Sequence, residues 1–208
     1  DRGYMEDIHQ ALIRAGLGTN LMFTSDGADM LANDALPGVL AVVNFAPGEA
    51  KGAFGRLAGF RPGQPLMAGE YWAGWFDQWG GPHARTDGAA QAKELAWMLT
   101  QGYSVNLYMF EGGTSFGFMN GANYQGGPAD HYAPQTTSYD YDAPIREWGG
   151  VDKRYAAVQA IGLMLQEHGP RLARAVLDKT QVLECSDKDV RFVVRRAKDG
   201  SRYIFVST

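Results

Sequence analysis

A single cysteine in 208 residues, Cys185, excludes an intrachain disulfide and, without several histidine partners, a thiolate zinc site. It reads as an inert strand-edge or core residue, and the redox compartment stays open. A surplus of positive charge is missing too. Lys plus Arg number 19 against 23 Asp plus Glu, a formal charge of −4, which excludes a basic nucleic-acid-binding patch as the dominant feature. No apolar run approaches the roughly 18 residues of a membrane span, so no membrane partner is expected. The start, Asp1-Arg2-Gly3, has neither an initiator Met nor a basic-then-apolar leader and reads as a cut end. Histidine is scarce: His9, His83, His131 and His168 follow no metal-ligand spacing, so no metal is expected. Gly112-Gly113-Thr114 lacks the lysine of a phosphate loop, which argues against nucleotide binding, and no cofactor is expected.

What remains is a globular composition, 45% apolar and 20% charged, able to bury a core. The unusual residues are 27 Gly with 5 Trp, 10 Tyr and 10 Phe, and many of the aromatics gather between Glu70 and Tyr141.

Tyr4, Ile8, Ala11, Leu12 and Ala15 recur at helical spacing before Gly16 and Gly18, which predicts an amphipathic helix. Leu21-Met22-Phe23-Thr24 reads as a buried strand ending at a Ser25-Asp26-Gly27 turn. A second apolar run, Val39-Leu40-Ala41-Val42-Val43, leads to Asn44-Phe45. A third, Pro65-Leu66-Met67-Ala68-Gly69, delivers Glu70 at its end. Such barely alternating runs are expected of a parallel sheet with helices on both faces. Asp87 caps a predicted helix striped by Ala89, Ala92, Leu95, Ala96 and Leu99, and Gly102 stops it. The strand after it alternates, Val105, Leu107 and Met109 on one side and Asn106, Tyr108 and Phe110 on the other. Residues 112–150 show no helical stripe, and loops this long are usually functional. A further helix spans residues 152–167 with Tyr155, Val158, Ile161 and Leu165 on one face, and Gly169-Pro170 ends it. Residues 189–195 and 202–206 then form a hairpin turning at Asp199-Gly200.

Four parallel-type strands are too few to close an eight-stranded barrel. The fold class is α/β, either an open sheet or half a barrel, and the ragged start favours the C-terminal half of a (β/α)8 barrel, strands five to eight. The barrel half is assigned to residues 1–170, and residues 171–208 to a linker and the start of an antiparallel β module.

The densest chemistry runs from Gly69 through Glu70-Tyr71-Trp72-Ala73-Gly74-Trp75-Phe76-Asp77-Gln78-Trp79 to His83. A carboxylate at a strand's C-terminal end, followed by three tryptophans, suits a sugar, whose C–H faces stack on aromatic rings while carboxylates take its hydroxyls. The competing explanation is that Trp72, Trp75 and Trp79 are core or rim packing and Glu70 a solvated loop acid. In the first case the rings converge on one cavity, and in the second they do not. Retaining glycoside hydrolysis needs a pair of carboxyl groups about 5 to 5.5 Å apart. Glu70 is the candidate nucleophile, with Tyr108 on the neighbouring strand as a potential hydrogen-bond donor to it. Glu111, next to Phe110, is either a pocket acid or a loop acid. Asp26 and Asn44 sit where strand ends meet the pocket, although turn and cap roles suit them better. Asp77, Asp140 and Asp142 are expected to bond loop backbone.

Five blocks carry a family resemblance: Glu70-Tyr71-Trp72-Ala73-Gly74-Trp75-Phe76-Asp77-Gln78-Trp79-Gly80, Val105-Asn106-Leu107-Tyr108-Met109-Phe110, Gly112-Gly113-Thr114-Ser115-Phe116-Gly117-Phe118, Asn120-Gly121-Ala122-Asn123 and Thr137-Ser138-Tyr139-Asp140-Tyr141-Asp142-Ala143-Pro144. In order and spacing they resemble the glycoside hydrolase family 35 β-galactosidases over residues 1–170. The resemblance implies a (β/α)8 barrel that cleaves terminal non-reducing β-D-galactosyl residues with retention, acting on a β-galactoside or galactose-containing oligosaccharide. It implies Glu70 as nucleophile, Tyr108 beside it, Tyr139 and Tyr141 lining the galactose pocket and Trp75 on its wall. Trp72 stands where some members carry tyrosine. The family's acid/base glutamate lies in an Asn-Glu-Tyr-Gly stretch that these 208 residues do not contain. The resemblance therefore implies an internal fragment that hydrolyses little or nothing alone. Family members are often secreted, periplasmic or lysosomal. The alternative is a non-catalytic galactose-binding protein built on the same pocket.

Overall fold

The computed structural model describes residues 2–117, 119–124, 132–180 and 183–207; Asp1, Phe118 and His131, named above, lie outside the described residues. Four strands, β1 (Phe23–Gly27), β2 (Leu40–Phe45), β3 (Met67–Trp72) and β4 (Ser104–Tyr108), form a sheet in that spatial order. Every pairing in it is parallel. Helices α3 (Ala50–Phe60), α4 (Gly88–Gln101) and α5 (Lys153–Leu172) cover it. Ala41, Val43 and Phe45 of β2 meet Ala53, Phe54 and Leu57 of α3, Leu95 and Met98 of α4, and Val158 and Ile161 of α5.

That packing corrects the expectation of helices on both faces, because the core residues of β2 share one parity and therefore one face. The run reads as continuous because Val42, on the opposite face, is fully buried too. Strand β1 begins at Phe23 and continues through Ser25-Asp26-Gly27, the residues read as a turn. Five consecutive pairs with β2, Phe23 with Leu40 to Gly27 with Asn44, override the local turn preference.

Helix α1 (Arg2–Leu12) leads into a wide turn, Ile13–Leu17, with Gly16 at φ 88°. Its expected stripe is present, yet Tyr4, Ile8 and Leu12 are exposed. Two helices escape the sequence reading, the short α2 (Leu31–Asp34) and α3. Gly52, Gly55 and Gly59 depress the helix propensity of α3, while Ala50, Ala53, Phe54 and Leu57 supply a buried face at helical spacing. Its first turn is closed from another element. The Glu94 carboxylate of α4 accepts the backbone N–H groups of Gly48 at 2.8 Å and Ala50 at 3.1 Å.

In α4, Asp87 caps as expected, accepting from the N–H groups of Ala89 and Ala90, and Gly102 terminates it at φ 87°. The buried face is Gln91, Leu95 and Met98 rather than the stripe through Ala89, since docking onto β3 selects the face. Helix α5 starts after Asp152, which accepts the Arg154 N–H, and runs through Pro170 to Leu172. Its end is held by the buried Leu172 and by the Ala173 N–H donating to the Gly169 carbonyl, so Gly169-Pro170 does not end it.

Between β4 and α5 lie two small antiparallel ladders, β5 (Gly113–Thr114) with β8 (Ser138–Tyr139) and β6 (Ala122–Tyr124) with β7 (Tyr132–Pro134). After α5, β9 (Val176–Leu177), β10 (Arg191–Arg196) and β11 (Arg202–Ser207) form an antiparallel sheet. Its expected hairpin turns at Gly200, φ 85°. Buried Arg195 ties this sheet to α4 by donating to the Leu99 carbonyl at 3.2 Å. Cys185 is exposed, not in the core.

Glu94 also accepts from the buried Tyr71 hydroxyl at 2.8 Å, so it joins α3, α4 and β3. Glu94→Ala would leave the first turn of α3 short of an acceptor and the Tyr71 hydroxyl with only the Gln91 carbonyl, 3.2 Å away. The expected cost is about 1–3 kcal/mol, read as a lower urea midpoint at unchanged m value.

Candidate functional site

Strand β3 carries a bulge that decides where Glu70 points. Val43 of β2 pairs with Ala68, but the next residue, Asn44, pairs with Glu70, and on the other side Ala68 pairs with Val105 while Tyr71 pairs with Leu107. The inserted residue breaks the two-residue alternation, so Ala68 and Tyr71, three apart, both enter the helix-covered core. Gly69 and Glu70 are left to the other face. A Cβ on Gly69 would lie 2.3 Å from Ser25 Oγ and 2.5 Å from Val42 Cγ2, so glycine is required at that position. Ser25 donates to Asn44 Oδ1 at 2.8 Å, and Asn106 donates to the Gly69 carbonyl at 2.9 Å.

Helix α4 clamps the strand end. Gln91 Nε2 donates to the Trp72 carbonyl at 2.8 Å, and the Tyr71 hydroxyl is held by Glu94. Burial first, then the Glu94 carboxylate, push the Tyr71 phenol far above its ordinary range, so it stays a donor. From this fixed backbone the half-buried Glu70 carboxylate accepts the Trp72 indole N–H at Oε2, 2.9 Å. Tyr108 was the expected donor, but its hydroxyl is paired with that of Tyr139 at 3.1 Å. Trp72 and Tyr108 are instead partners across the β3–β4 ladder.

Around Glu70 the rings converge. Trp72 meets Trp75 edge-on with centroids 5.2 Å apart, Trp75 lies 6.1 Å from Tyr141, and Tyr141 lies 5.5 Å from Tyr108 and 5.2 Å from Tyr139, stacked on the latter. Phe76 joins through Trp75 and Tyr139. Trp79 does not take part; it is exposed, and its backbone N–H bonds the Pro134 carbonyl. The phenols of Tyr139 and Tyr141 are pushed well above the ordinary tyrosine range, by burial first, then by neighbouring phenols and the Glu70 carboxylate. Both therefore remain O–H donors at neutral pH.

Tyr141 and Asp142 hold left-handed backbone, φ 57° and 50°, which a side-chain-bearing residue adopts only under constraint. Two glycines let this segment approach: a Cβ on Gly74 would sit 2.3 Å from the Tyr141 carbonyl oxygen, and one on Gly112 would sit 2.6 Å from that of Asp140. The anchor is Asp142, 1% exposed. It accepts from the Thr86 N–H at 2.8 Å, Arg146 Nη1 at 2.5 Å and Arg154 Nη2 at 2.7 Å. Burial alone would raise its carboxyl, but Arg146, the Thr86 N–H and Arg154 together outweigh burial and hold it below the usual carboxylate range. Arg154 also donates to Gln91 Oε1 at 3.0 Å, which links the anchor to the strand clamp. Neither arginine is identified by the sequence reading, although the four-residue step from Asp142 to Arg146 was a readable signal.

The other acids fall as expected or plainly elsewhere. Asp77 accepts the Ala84 N–H at 2.7 Å and pairs with His83, and Asp140 accepts the Glu147 N–H at 3.1 Å. Glu111 is exposed, its backbone bridged to Ile145. Asp26 is half-buried within β1, opposite Val43. Among the described residues no group of three or more His, Cys, Asp or Glu side chains is placed to hold a metal. The Glu70 bowl is open, and of its rings Trp72 alone also lines a neighbouring cleft of about 440 Å³.

An acid set among aromatic faces and hydroxyl donors, at the C-terminal ends of parallel strands, has the chemistry of a carbohydrate site. The chain belongs to the family described as Glycosyl hydrolases family 35, whose profile matches residues 1–165. It is 64% identical over 159 residues to a beta-galactosidase of Xanthomonas manihotis, covering 76% of this chain and 27% of that protein. It is 40% identical over 169 residues to beta-galactosidase-1-like protein of Mus musculus, covering 80% and 25%, and 43% identical over 144 residues to the Bos taurus beta-galactosidase, covering 68% and 21%. The chain thus spans about a quarter of the length of the curated relatives it matches.

Because its folded-state pKa is lowered, Asp142 stabilises the fold above the ordinary carboxylate range and ceases to as pH falls through its own pKa. Asp142→Asn leaves Arg154 without a carboxylate partner among the described residues and Arg146 with only Asp140 and Asp152, at an expected cost of about 3–5 kcal/mol near neutral pH. In denaturant melts across pH, the gap to wild type should shrink below about pH 4; a gap constant down to pH 2 would contradict the ionised-anchor account.

Proposed function

We propose that residues 1–170 are the second half of a (β/α)8 catalytic barrel, strands five to eight, and that residues 171–208 begin a β-rich accessory module. The four-stranded parallel order with helices on one face supports this assignment. The intact protein hydrolyses terminal non-reducing β-D-galactosyl residues by retaining double displacement, with Glu70 as nucleophile.

The observation that carries the assignment is the half-buried Glu70 carboxylate at the end of β3, fixed through Oε2 by the Trp72 indole. Oε1 attacks the anomeric carbon, the bond to the leaving oxygen breaks, and that oxygen takes a proton from an acid/base glutamate supplied by sequence outside this chain. Water then attacks the glycosyl–enzyme ester, giving its proton to the same residue and freeing Glu70. Trp75, Tyr139 and Tyr141 stack on the sugar or bond its hydroxyls, and Tyr108 orients Tyr139. Trp72 positions the nucleophile.

Galactose binding without turnover is the second assignment, and it is favoured for the isolated chain by the exposed, bridge-bound position of Glu111, the acid considered as a second catalytic carboxylate. Alone, the chain is expected to hydrolyse little or nothing.

In the intact protein, a 2-fluoro galactosyl substrate should label a peptide containing Glu70, and Glu70→Gln should fold normally but lose turnover by several orders of magnitude. A label on another acid would overturn the assignment. Trp72→Phe removes one charge-assisted hydrogen bond, about 1.5–3 kcal/mol, so kcat should fall about ten- to a hundredfold with KM little changed.

A further inference from the structure

We propose that Asn106 is a positioning residue for the nucleophile, its side chain setting the direction of Glu70 by holding the Gly69 carbonyl at the bulge of β3. The proposal rests on the assignment of Glu70 above.

The ladder registers put Asn106 at the bulge itself. Ala68 pairs with Val105 and Tyr71 with Leu107, so two residues of β3, Gly69 and Glu70, stand opposite one residue of β4, Asn106. In such a two-against-one arrangement the extra residue loses its regular ladder partner. Asn106 supplies a replacement from its side chain, Nδ2 donating to the Gly69 carbonyl at 2.9 Å.

That bond reaches the acid through one rigid unit. The Gly69 carbonyl and the Glu70 N–H belong to the same planar peptide group, so holding the oxygen fixes the plane from which the Glu70 Cα hangs. The other side of Gly69 is closed, since a Cβ there would strike Val42 and come within 2.9 Å of Asn44 Oδ1, itself bonded by Ser25. The peptide is therefore seated against β1 and β2 and held by a donor from β4. Glu70 is fixed at both ends, its backbone by Asn106 and its Oε2 by the Trp72 indole.

Two features separate this role from packing. Gly69 is buried, but the Asn106 side chain stands on an exposed position of β4, and truncating an exposed amide opens no core cavity. The walls of the sugar pocket, Tyr139 and Tyr141, are set by a different anchor, Asp142. Loss of Asn106 therefore disturbs the attacking acid and spares the sugar. It slows the first displacement, which needs Oε1 aligned on the anomeric carbon, and not the second, in which the ester bond already holds Glu70.

The intact protein is trapped with a 2-fluoro galactosyl substrate bearing a dinitrophenolate leaving group. Glu70 Oε1 bonds to the anomeric carbon, and the phenolate departs with the electron pair of the broken bond. In Asn106→Ala and in Asn106→Leu, which keeps the side chain's size without its donor, the trapping rate constant at saturation should fall about five- to tenfold, the equivalent of one neutral hydrogen bond. The dissociation constant of the trapping reagent and the reactivation rate of the trapped enzyme should each change less than about twofold. Ser104→Ala, two residues earlier on β4 and opposite Met67, should alter none of these. A folding defect lowers the fraction of enzyme labelled and leaves the rate constant unchanged, so amplitude and rate distinguish the two.

A trapping constant within about twofold of wild type in both variants overturns the role of Asn106 while Glu70 keeps its own. Equal slowing of trapping and reactivation, or weaker reagent binding as the main effect, also overturns it, because either would place Asn106 on the sugar. A label on another acid in the wild-type protein overturns the Glu70 assignment itself.

Discussion

A single buried carboxylate governs the geometry on which the site depends. Asp142 is almost wholly excluded from water and held between Arg146, Arg154 and the Thr86 backbone. Buried ion pairs recover their desolvation cost only when their geometry is good and their hydrogen bonds are complete, so their value lies as much in fixing one arrangement as in stability. Here the fixed arrangement is an unfavourable one. Tyr141 and Asp142 both sit in left-handed backbone, at roughly 1–3 kcal/mol each. Only surroundings that over-determine the segment can maintain it, and Asp142 supplies them from its own side chain. The result is that Tyr139 and Tyr141 stack on one another beside Glu70 rather than turning out to solvent.

The same network reaches the acid from behind. Arg154 bonds Gln91, Gln91 bonds the Trp72 carbonyl, and the Trp72 indole bonds Glu70. Each link is a short polar contact between side chains or backbone that packing already restricts, which is what a site needs if its groups are to stay within a fraction of an ångström of working geometry. Glu94 adds a second tether one residue earlier, through Tyr71. Helix α4 thus acts on the strand end at two consecutive residues, one facing the core and one facing the site.

The sequence reveals this plan unevenly, for physical reasons. Glu70, Trp72, Trp75 and Tyr108 are readable because aromatic residues crowding a strand-end acid are rare, Tyr139 and Tyr141 only through the family resemblance, and the structure brings all six together. Asp87 and Gly102 are readable because caps are local. The bulge at Gly69 is not, since it is a property of two pairings and both partners lie more than 20 residues away in the chain. Helix α3 was hidden by its glycines, and its missing cap came from Glu94 on another helix. Arg146 and Arg154 look like solvated charges until Asp142 is placed beside them. Pro170 looks like a helix stop until Leu172 is seen anchoring the turn beyond it.

Stability and chemistry occupy opposite faces of one sheet. The helix-covered face is apolar and closed, with Ala41, Val43, Phe45, Ala68 and Tyr71 in its core. The other face carries Ser25, Asn44, Gly69 and Asn106, joined by hydrogen bonds that an apolar interior would not need. Along an ordinary strand this division would alternate residue by residue, and a change on one face would leave the other alone. The bulge removes that independence. By sending Ala68 and Tyr71 to the core with Gly69 and Glu70 left between them, it makes the direction of the acid a consequence of how Tyr71 packs. The direction of the carboxylate is thus tied to the ring packing of the core, where Tyr71 lies 5.6 Å from Phe45 and Phe45 lies 5.4 Å from Phe54 of α3.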